Sequence, residues 1–157
     1  MRKYDFAEAR MSTLVLVVVP TMDNAYHNLK DFVAVVPPIG LLSVAATAEA
    51  AGHRVVIVDA DAEGLNTDRA LERVAALEPD YVGATVMTAT MDLCAAFFAG
   101  LKARLPAVPV IVGGPHPSAL PERTLLDVPA FDIAVIGEGD ETIVDVLRVL
   151  DAAGDLA

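Results

Sequence analysis

Two glycine-rich clusters in this 157-residue chain each follow directly on a short run of branched apolar residues. Gly113-Gly114-Pro115-His116-Pro117-Ser118 follows Val108 to Val112, and Gly137-Glu138-Gly139-Asp140-Glu141-Thr142 follows Ile133 to Ile136. Short branched runs bounded by turn residues read as strands buried on both faces, the pattern of a parallel sheet. Both clusters then stand at the carboxyl edge of that sheet, where open α/β sheets bind their ligands. Glycine lacks a Cβ, so two such loops on one edge point to a flat ligand lying close against backbone.

Strand and helix patterns alternate along the rest of the chain. Leu14 to Val19 reads as the first strand, and a long loop leads from it to Pro38. A helix from Ile39 to Ala51 follows, with Pro38 near its first turn and Gly52 at its end. His53 to Val58 is the second strand. The second helix takes Asn66 or Thr67 as N-cap, places Asp68 in its first turn and buries Leu71, Val74, Ala75 and Leu77. Tyr81 to Val86 is the third strand, and Met91 to Arg104 a helix that stops before Pro106. Cys94, Phe97, Phe98, Leu101 and Leu105 share one face of it, which makes Cys94 a buried structural thiol.

After the Gly113-Gly114 loop only one helical turn fits, around Glu122 to Leu126. Ile133 to Ile136 is the fifth strand, and the last helix covers Glu141 to Ala152 with Asp140 as N-cap. Strands that are each followed by a helix require right-handed crossovers and a parallel sheet. The expected fold is α/β: a flavodoxin-like, doubly wound, five-stranded sheet of order 2-1-3-4-5. Residues 13–152 form the domain, 1–12 a disordered extension and 153–157 a truncated linker.

Composition narrows the function. Hydrophobic residues reach 55% while aromatics are only 5%, which suits Val/Ile strands under Ala-rich helices. A formal net charge of −11 argues against nucleic acid and anionic membrane surfaces as partners. The longest uncharged stretch, Phe32 to Ala48, is divided by Pro37-Pro38 and is too short to span a bilayer. Leu14 to Val19 is too short for a signal-peptide core, so the expected location is cytoplasmic. The single cysteine forms no internal disulfide and cannot alone hold an iron–sulfur cluster.

Three motifs in order, Pro37-Pro38-Ile39-Gly40-Leu41-Leu42, the GGPHPS loop with Pro121-Glu122, and the GEGDET turn, carry a family likeness. From about Leu14 to Leu150 the chain resembles the cobalamin-binding domain at the front of B12-dependent radical SAM enzymes. The resemblance implies a Rossmann-like domain that holds cobalamin, as methylcobalamin or hydroxocobalamin, with a radical SAM domain in cis or in trans as its partner. S-adenosylmethionine and a [4Fe-4S] cluster would belong to that partner, because this chain has no CxxxCxxC. The chain is then not catalytic alone, and the assembly it implies is most often a methyltransferase. A free-standing cobalamin carrier or sensor, or a domain that no longer binds cobalamin and serves interaction, are the other readings.

Residue by residue, the resemblance assigns cofactor contacts to Pro37, Pro38, Gly40, Leu41, Thr85, Met87, Thr88, Gly113, Gly114, His116, Pro117, Gly137, Glu138 and Gly139. Other cobalamin domains carry D-x-H-x-x-G after strand one, and that His ligates cobalt. If Gly40 takes the place of the motif Gly, Val35 stands at the Asp position and Pro37 at the His position. Neither can ligate, which implies a base-off, His-off cofactor. His27, in the first loop, is the one candidate metal ligand, although a lone surface histidine is far commoner. Asp59 to Gly64 mimics the motif but follows strand two, and reads as a strand end with exposed acids.

Gly114 admits the nucleotide tail or serves a tight turn. His116 reaches the tail or packs on Pro117. Thr85 offers a hydroxyl to the buried base or is a plain strand residue. Glu138 would repel phosphate and suits ribose hydroxyls or corrin amides. A dinucleotide fold would need G-x-G-x-x-G after strand one, which this chain lacks. A phospho-receiver would need a lysine after strand five, and no Lys follows residue 102.

Overall fold

The computed structural model describes residues 11–21 and 36–153. Five strands form one sheet: β1 (Thr13–Val18), β2 (Arg54–Asp59), β3 (Tyr81–Thr85), β4 (Val110–Gly113) and β5 (Ile133–Ala134), in the order β2-β1-β3-β4-β5. Every pairing is parallel, with Leu14 beside Tyr81, Val82 beside Val110 and Ile111 beside Ile133. The helices are α1 (Ile39–Ala50), α2 (Thr67–Ala75), α3 (Met91–Arg104), α4 (Pro115–Ala119), α5 (Pro121–Asp127) and α6 (Asp140–Ala153). This is the flavodoxin-like order read from the sequence.

The pleat of β1 sorts the core into two layers, because successive side chains point to opposite faces. Val15 and Val17 pack with Leu71 and Val74 of α2 and with Cys94, Phe97, Phe98 and Leu101 of α3. Leu14 and Leu16 face the other way, onto Leu41, Ala45 and Ala48 of α1 and Ile143, Leu147 and Leu150 of α6. On the first face Phe98 meets Phe97 and Phe131 edge to face, at centroid distances of 5.3 and 5.6 Å. Asn66 caps α2 by accepting from the Arg69 N–H at 3.0 Å.

Several boundaries move. β4 starts at Val110, and β5 is assigned only Ile133 and Ala134, although the Val135 N–H still bonds the Val112 carbonyl of β4 at 2.8 Å. The segment after Gly114 is not an open loop. Pro115 opens the short helix α4, where its missing N–H is harmless, and a second short helix, α5, follows. Asp140 is the first residue of α6 and not its cap, since the Ile143 N–H already bonds the Gly139 carbonyl at 2.8 Å.

The amino edge of the sheet is closed by a polar knot. Ser12 is fully buried, although the sequence placed it in the leading extension. Its Oγ lies 2.8 Å from His53 Nδ1 and 3.4 Å from Asp151 Oδ2. Tyr81 donates its hydroxyl to Asp151 Oδ1 at 2.8 Å. The starts of β1, β2 and β3 are thereby tied to the last turn of α6. Two acids of the Asp59 to Gly64 turn are also structural: Asp61 accepts from the Thr21 N–H and hydroxyl at 2.9 and 2.6 Å, and Asp59 from the Ala62 N–H at 3.0 Å. These two are half-buried, while Glu63 is exposed as expected.

Candidate ligand cleft at the carboxyl edge

Where the strands end, α1 and α6 stand apart from the sheet and leave a cleft of about 430 Å³. Leu16, Gly83, Ala84 and Ile111 line it from the sheet, and Val135 from the segment leaving β5. Ile39, Gly40, Leu41, Ser43 and Val44 come from α1, and Asp140 and Ile143 from α6. Thr85, Gly113, Gly114, Pro115, Gly137, Glu138 and Gly139 complete it at the strand ends.

Glycines shape this space in different ways. A Cβ on Gly40 or Gly137 would meet nothing within 4 Å, so these positions are open. A Cβ on Gly113 would make only ordinary contact, at 3.8 Å from Val135 Cβ. Gly83 lies in the middle of β3, and a Cβ there would stand 2.9 Å from Leu16 Cδ2. Gly114 is the crowded one. Its φ is +101°, and a Cβ would fall 2.7 Å from Thr85 Cγ2 and 3.2 Å from the Val86 carbonyl. That carbonyl accepts from the His116 N–H at 3.1 Å. The protein's own turn therefore demands glycine at 114.

Of the residues singled out in the sequence, Gly40, Leu41, Thr85, Gly113, Gly114, Gly137, Glu138 and Gly139 line the cleft. Pro37, Pro38, Met87, Thr88, His116 and Pro117 do not. Pro37 and Pro38 lead into α1. Met87 is 53% exposed beyond the end of β3. His116 and Pro117 are buried in α4, and His116 Nδ1 lies 3.1 Å from the Thr88 hydroxyl, a local partner. His27 lies outside the described residues. The Gly137 N–H bonds Ser118 Oγ at 3.0 Å.

Sequence reasoning missed Leu16, Gly83, Ile111, Val44, Ile143 and Asp140. A glycine inside a strand is a known mark of close approach, so Gly83 carried a legible signal. Asp140 carried none beyond its helix start. Its Oδ1 is buried and has no hydrogen-bond partner among the described residues. Among the described residues no Lys, Arg or His lines the cleft, while Glu138 and Asp140 do. The arrangement favours an uncharged, donor-bearing ligand over an anion. Among the described residues no three His, Cys, Asp or Glu side chains cluster to hold a metal ion, and no helix is long and apolar enough to cross a membrane.

Residues 28–147 match the B12 binding domain family. Over 142 residues the chain is 31% identical to an uncharacterized methyltransferase of Pyrococcus horikoshii, covering 90% of this chain and 30% of that protein. Over 122 residues it is 31% identical to an anaerobic magnesium-protoporphyrin IX monomethyl ester cyclase of Synechocystis, covering 76% of this chain and 24% of that one. The chain thus spans less than a third of these relatives' length.

Among solved structures, the cobalamin-dependent S-adenosylmethionine radical enzyme OxsB with aqua-cobalamin bound superposes at a TM-score of 0.76 and 16% identity, over 93% of this chain and 20% of that one. The radical S-adenosylmethionine methyltransferase TsrM of Kitasatospora setae, with cobalamin and a [4Fe-4S] cluster bound, gives 0.73 and 18%, over 93% and 25%. A cobalamin-binding protein of Desulfitobacterium hafniense gives 0.63 and 21%, over 88% and 58%. These likenesses establish the fold. The family match covers well over half of the chain, and with it the chain belongs to the B12-binding domain family.

Proposed function

We propose that this domain holds a cobalamin at the carboxyl edge of its sheet, base-off and without a histidine below the cobalt, for use by a radical SAM domain in cis or in trans. The observation that carries the reading is the cleft itself: a sheet–helix gap whose mouth a Cβ at Gly40 or Gly137 would begin to fill, in a chain of the B12-binding family. Gly40, Leu41, Gly113 and Glu138 would hold the ligand at the mouth, and Leu16, Gly83, Val44 and Ile143 would enclose the part that enters the gap. Pro37 offers no donor atom toward cobalt, which is the basis for the His-off assignment. A bound cobalamin supplies a cobalt-held methyl group to the parent reaction.

An apolar rim supports a covering partner. Val36, Ile39, Met87, Leu120 and Ile136 are 76, 71, 53, 49 and 59% exposed, and all lie in segments that follow the carboxyl ends of strands. Exposed apolar residues in such segments suit a surface that another body covers. The likeness to methyltransferases, one by sequence and one by fold, makes methyl transfer the favoured parent reaction. A free-standing carrier is the second reading, favoured by the likeness to the Desulfitobacterium cobalamin-binding protein, of which the chain spans 58%.

Equilibrium dialysis against hydroxocobalamin, followed by the visible spectrum, tests the reading. About one corrinoid retained per chain is expected of a single enclosed site. A chain folded by circular dichroism that retains none would leave only the interaction-module reading.

A further inference from the structure

Asp140 lines the cleft beside Ile143 of its own helix and Val44 of α1, yet its buried Oδ1 has no partner among the described residues. Burying an acceptor away from water without a donor is costly, and native structures keep such atoms rarely. The start of α6 explains why an acid is tolerated there, because the helix dipole favours negative charge at its first turn. It does not explain why one oxygen is withdrawn from solvent. A donor delivered by the ligand would.

We propose that Asp140 Oδ1 accepts a hydrogen bond from a hydroxyl or amino group on the nucleotide tail of the bound corrinoid. The inference rests on the cobalamin reading above and adds to it the residue that recognises the tail. Three observations favour the tail over the rest of the ligand. Val44 and Ile143 belong to the gap between sheet and helices, so Asp140 meets whatever enters that gap. Glu138, by contrast, is exposed, where water satisfies it. With Glu138 and Asp140 lining the cleft and no cation there among the described residues, a neutral donor suits Asp140 better than the tail's phosphate. Two groups on corrinoid nucleotides meet this description. One is a ribose hydroxyl, present whatever the base. The other is the exocyclic amine of an adenine base, which dimethylbenzimidazole lacks.

The experiment titrates the full chain with hydroxocobalamin, with a corrinoid carrying adenine as its lower base, and with cobinamide, which has no nucleotide. The variants are Asp140→Ala, Asp140→Asn and Glu141→Ala, the last removing a first-turn acid that does not line the cleft. Asp140→Ala is expected to weaken nucleotide-bearing corrinoids by about tenfold or more, the range of a hydrogen bond to a charged acceptor, and to leave cobinamide unchanged. Asp140→Asn, which keeps an acceptor oxygen, should fall between. The ligand-free Asp140→Ala chain should unfold at a midpoint no lower than that of Glu141→Ala, since Asp140 Oδ1 has no partner among the described residues to lose and its burial is costly.

Loss with both nucleotide-bearing ligands assigns the ribose hydroxyl, and loss confined to the adenine corrinoid assigns the base amine. An equal loss for cobinamide, or no loss with either nucleotide-bearing ligand, overturns the inference while the cobalamin reading stands. Failure of the unmutated chain to bind any of the three removes both.

Discussion

The methyl carbon of Thr85 occupies the space into which a side chain on Gly114 would project, at 2.7 Å from the position of its Cβ. With φ at +101° and ψ at −169°, Gly114 also sits in a backbone region that only glycine adopts freely. Gly114→Ala should therefore lower stability, by about 1–3 kcal/mol from the backbone and by a similar amount, roughly 1–3 kcal/mol, from crowding. Urea unfolding measures it. Adding Thr85→Ser, which deletes the nearest methyl, should restore most of the crowding part and leave the backbone part and the Val86 contact. A double mutant no more stable than Gly114→Ala would show that Thr85 is not the obstacle.

Gly40 gives the cleaner test of the ligand's position. It lies in the first turn of α1, and nothing stands within 4 Å of its absent Cβ. Gly40→Leu should keep or raise stability, by up to about 1 kcal/mol on helix propensity. Hydroxocobalamin affinity should nonetheless fall by about tenfold or more, because the side chain fills the mouth of the cleft. A stable variant with unchanged affinity would move the ligand elsewhere.

The cobalt's lower face is read by electron paramagnetic resonance of the bound cob(II)alamin. If Gly40 takes the place of the motif glycine, so that Pro37 stands at its histidine position, the cobalt lines should lack threefold nitrogen splitting. If splitting appears and His27→Ala removes it, the first loop supplies the ligand and the His-off assignment is wrong.

Asp151 holds the amino edge together, its side chain only 7% exposed. Asp151→Ala leaves the Tyr81 hydroxyl without the acceptor it now uses and takes a neighbour from Ser12 and His53. A cost of about 1–3 kcal/mol is expected by chemical denaturation, against about 1 kcal/mol for Tyr81→Phe. Cobalamin affinity should not change in either variant, since the knot and the cleft are at opposite ends of the strands. Equal costs would mean that Ser12 and His53 lend the knot nothing.

Cys94 supplies a pH signature. Burial pushes its thiol above the ordinary value of 9.0, and the Thr90 hydrogen bond offsets that only in part. A folded thiol that holds its proton more tightly than the unfolded one gives stability that is complete below about 9 and declines as pH rises beyond it. The native chain should resist iodoacetamide at pH 8 and react once unfolded in urea. Rapid labelling of the folded chain would mean that the α3 layer opens readily.

The sheet order was legible because five branched runs between helical patterns leave few topologies, and handedness prunes those further. Helix α4 was not, since Gly-Gly-Pro and a second proline read as loop, and its one turn is held by the Leu120 N–H bonding the His116 carbonyl at 2.9 Å. The same turn carried His116 away from the cleft and into a bond with Thr88. At the cleft the glycine mouth could be read from spacing. Its inner lining could not, because which of Leu16 and Val17 faces α1 depends on the pleat, and Asp140 is informative only through a partner it lacks.

The knot at Asp151 also fixes where a longer polypeptide would leave this domain. Helix α6 has 14 residues, so it descends about 21 Å from the ligand's end of the sheet to the opposite pole. A segment continuing from it starts at that far pole and must climb back over the same height before it can lie above the corrin. In extended form the return takes at least about six residues. A covering domain joined at this point would be tethered by a side strap of at least that length.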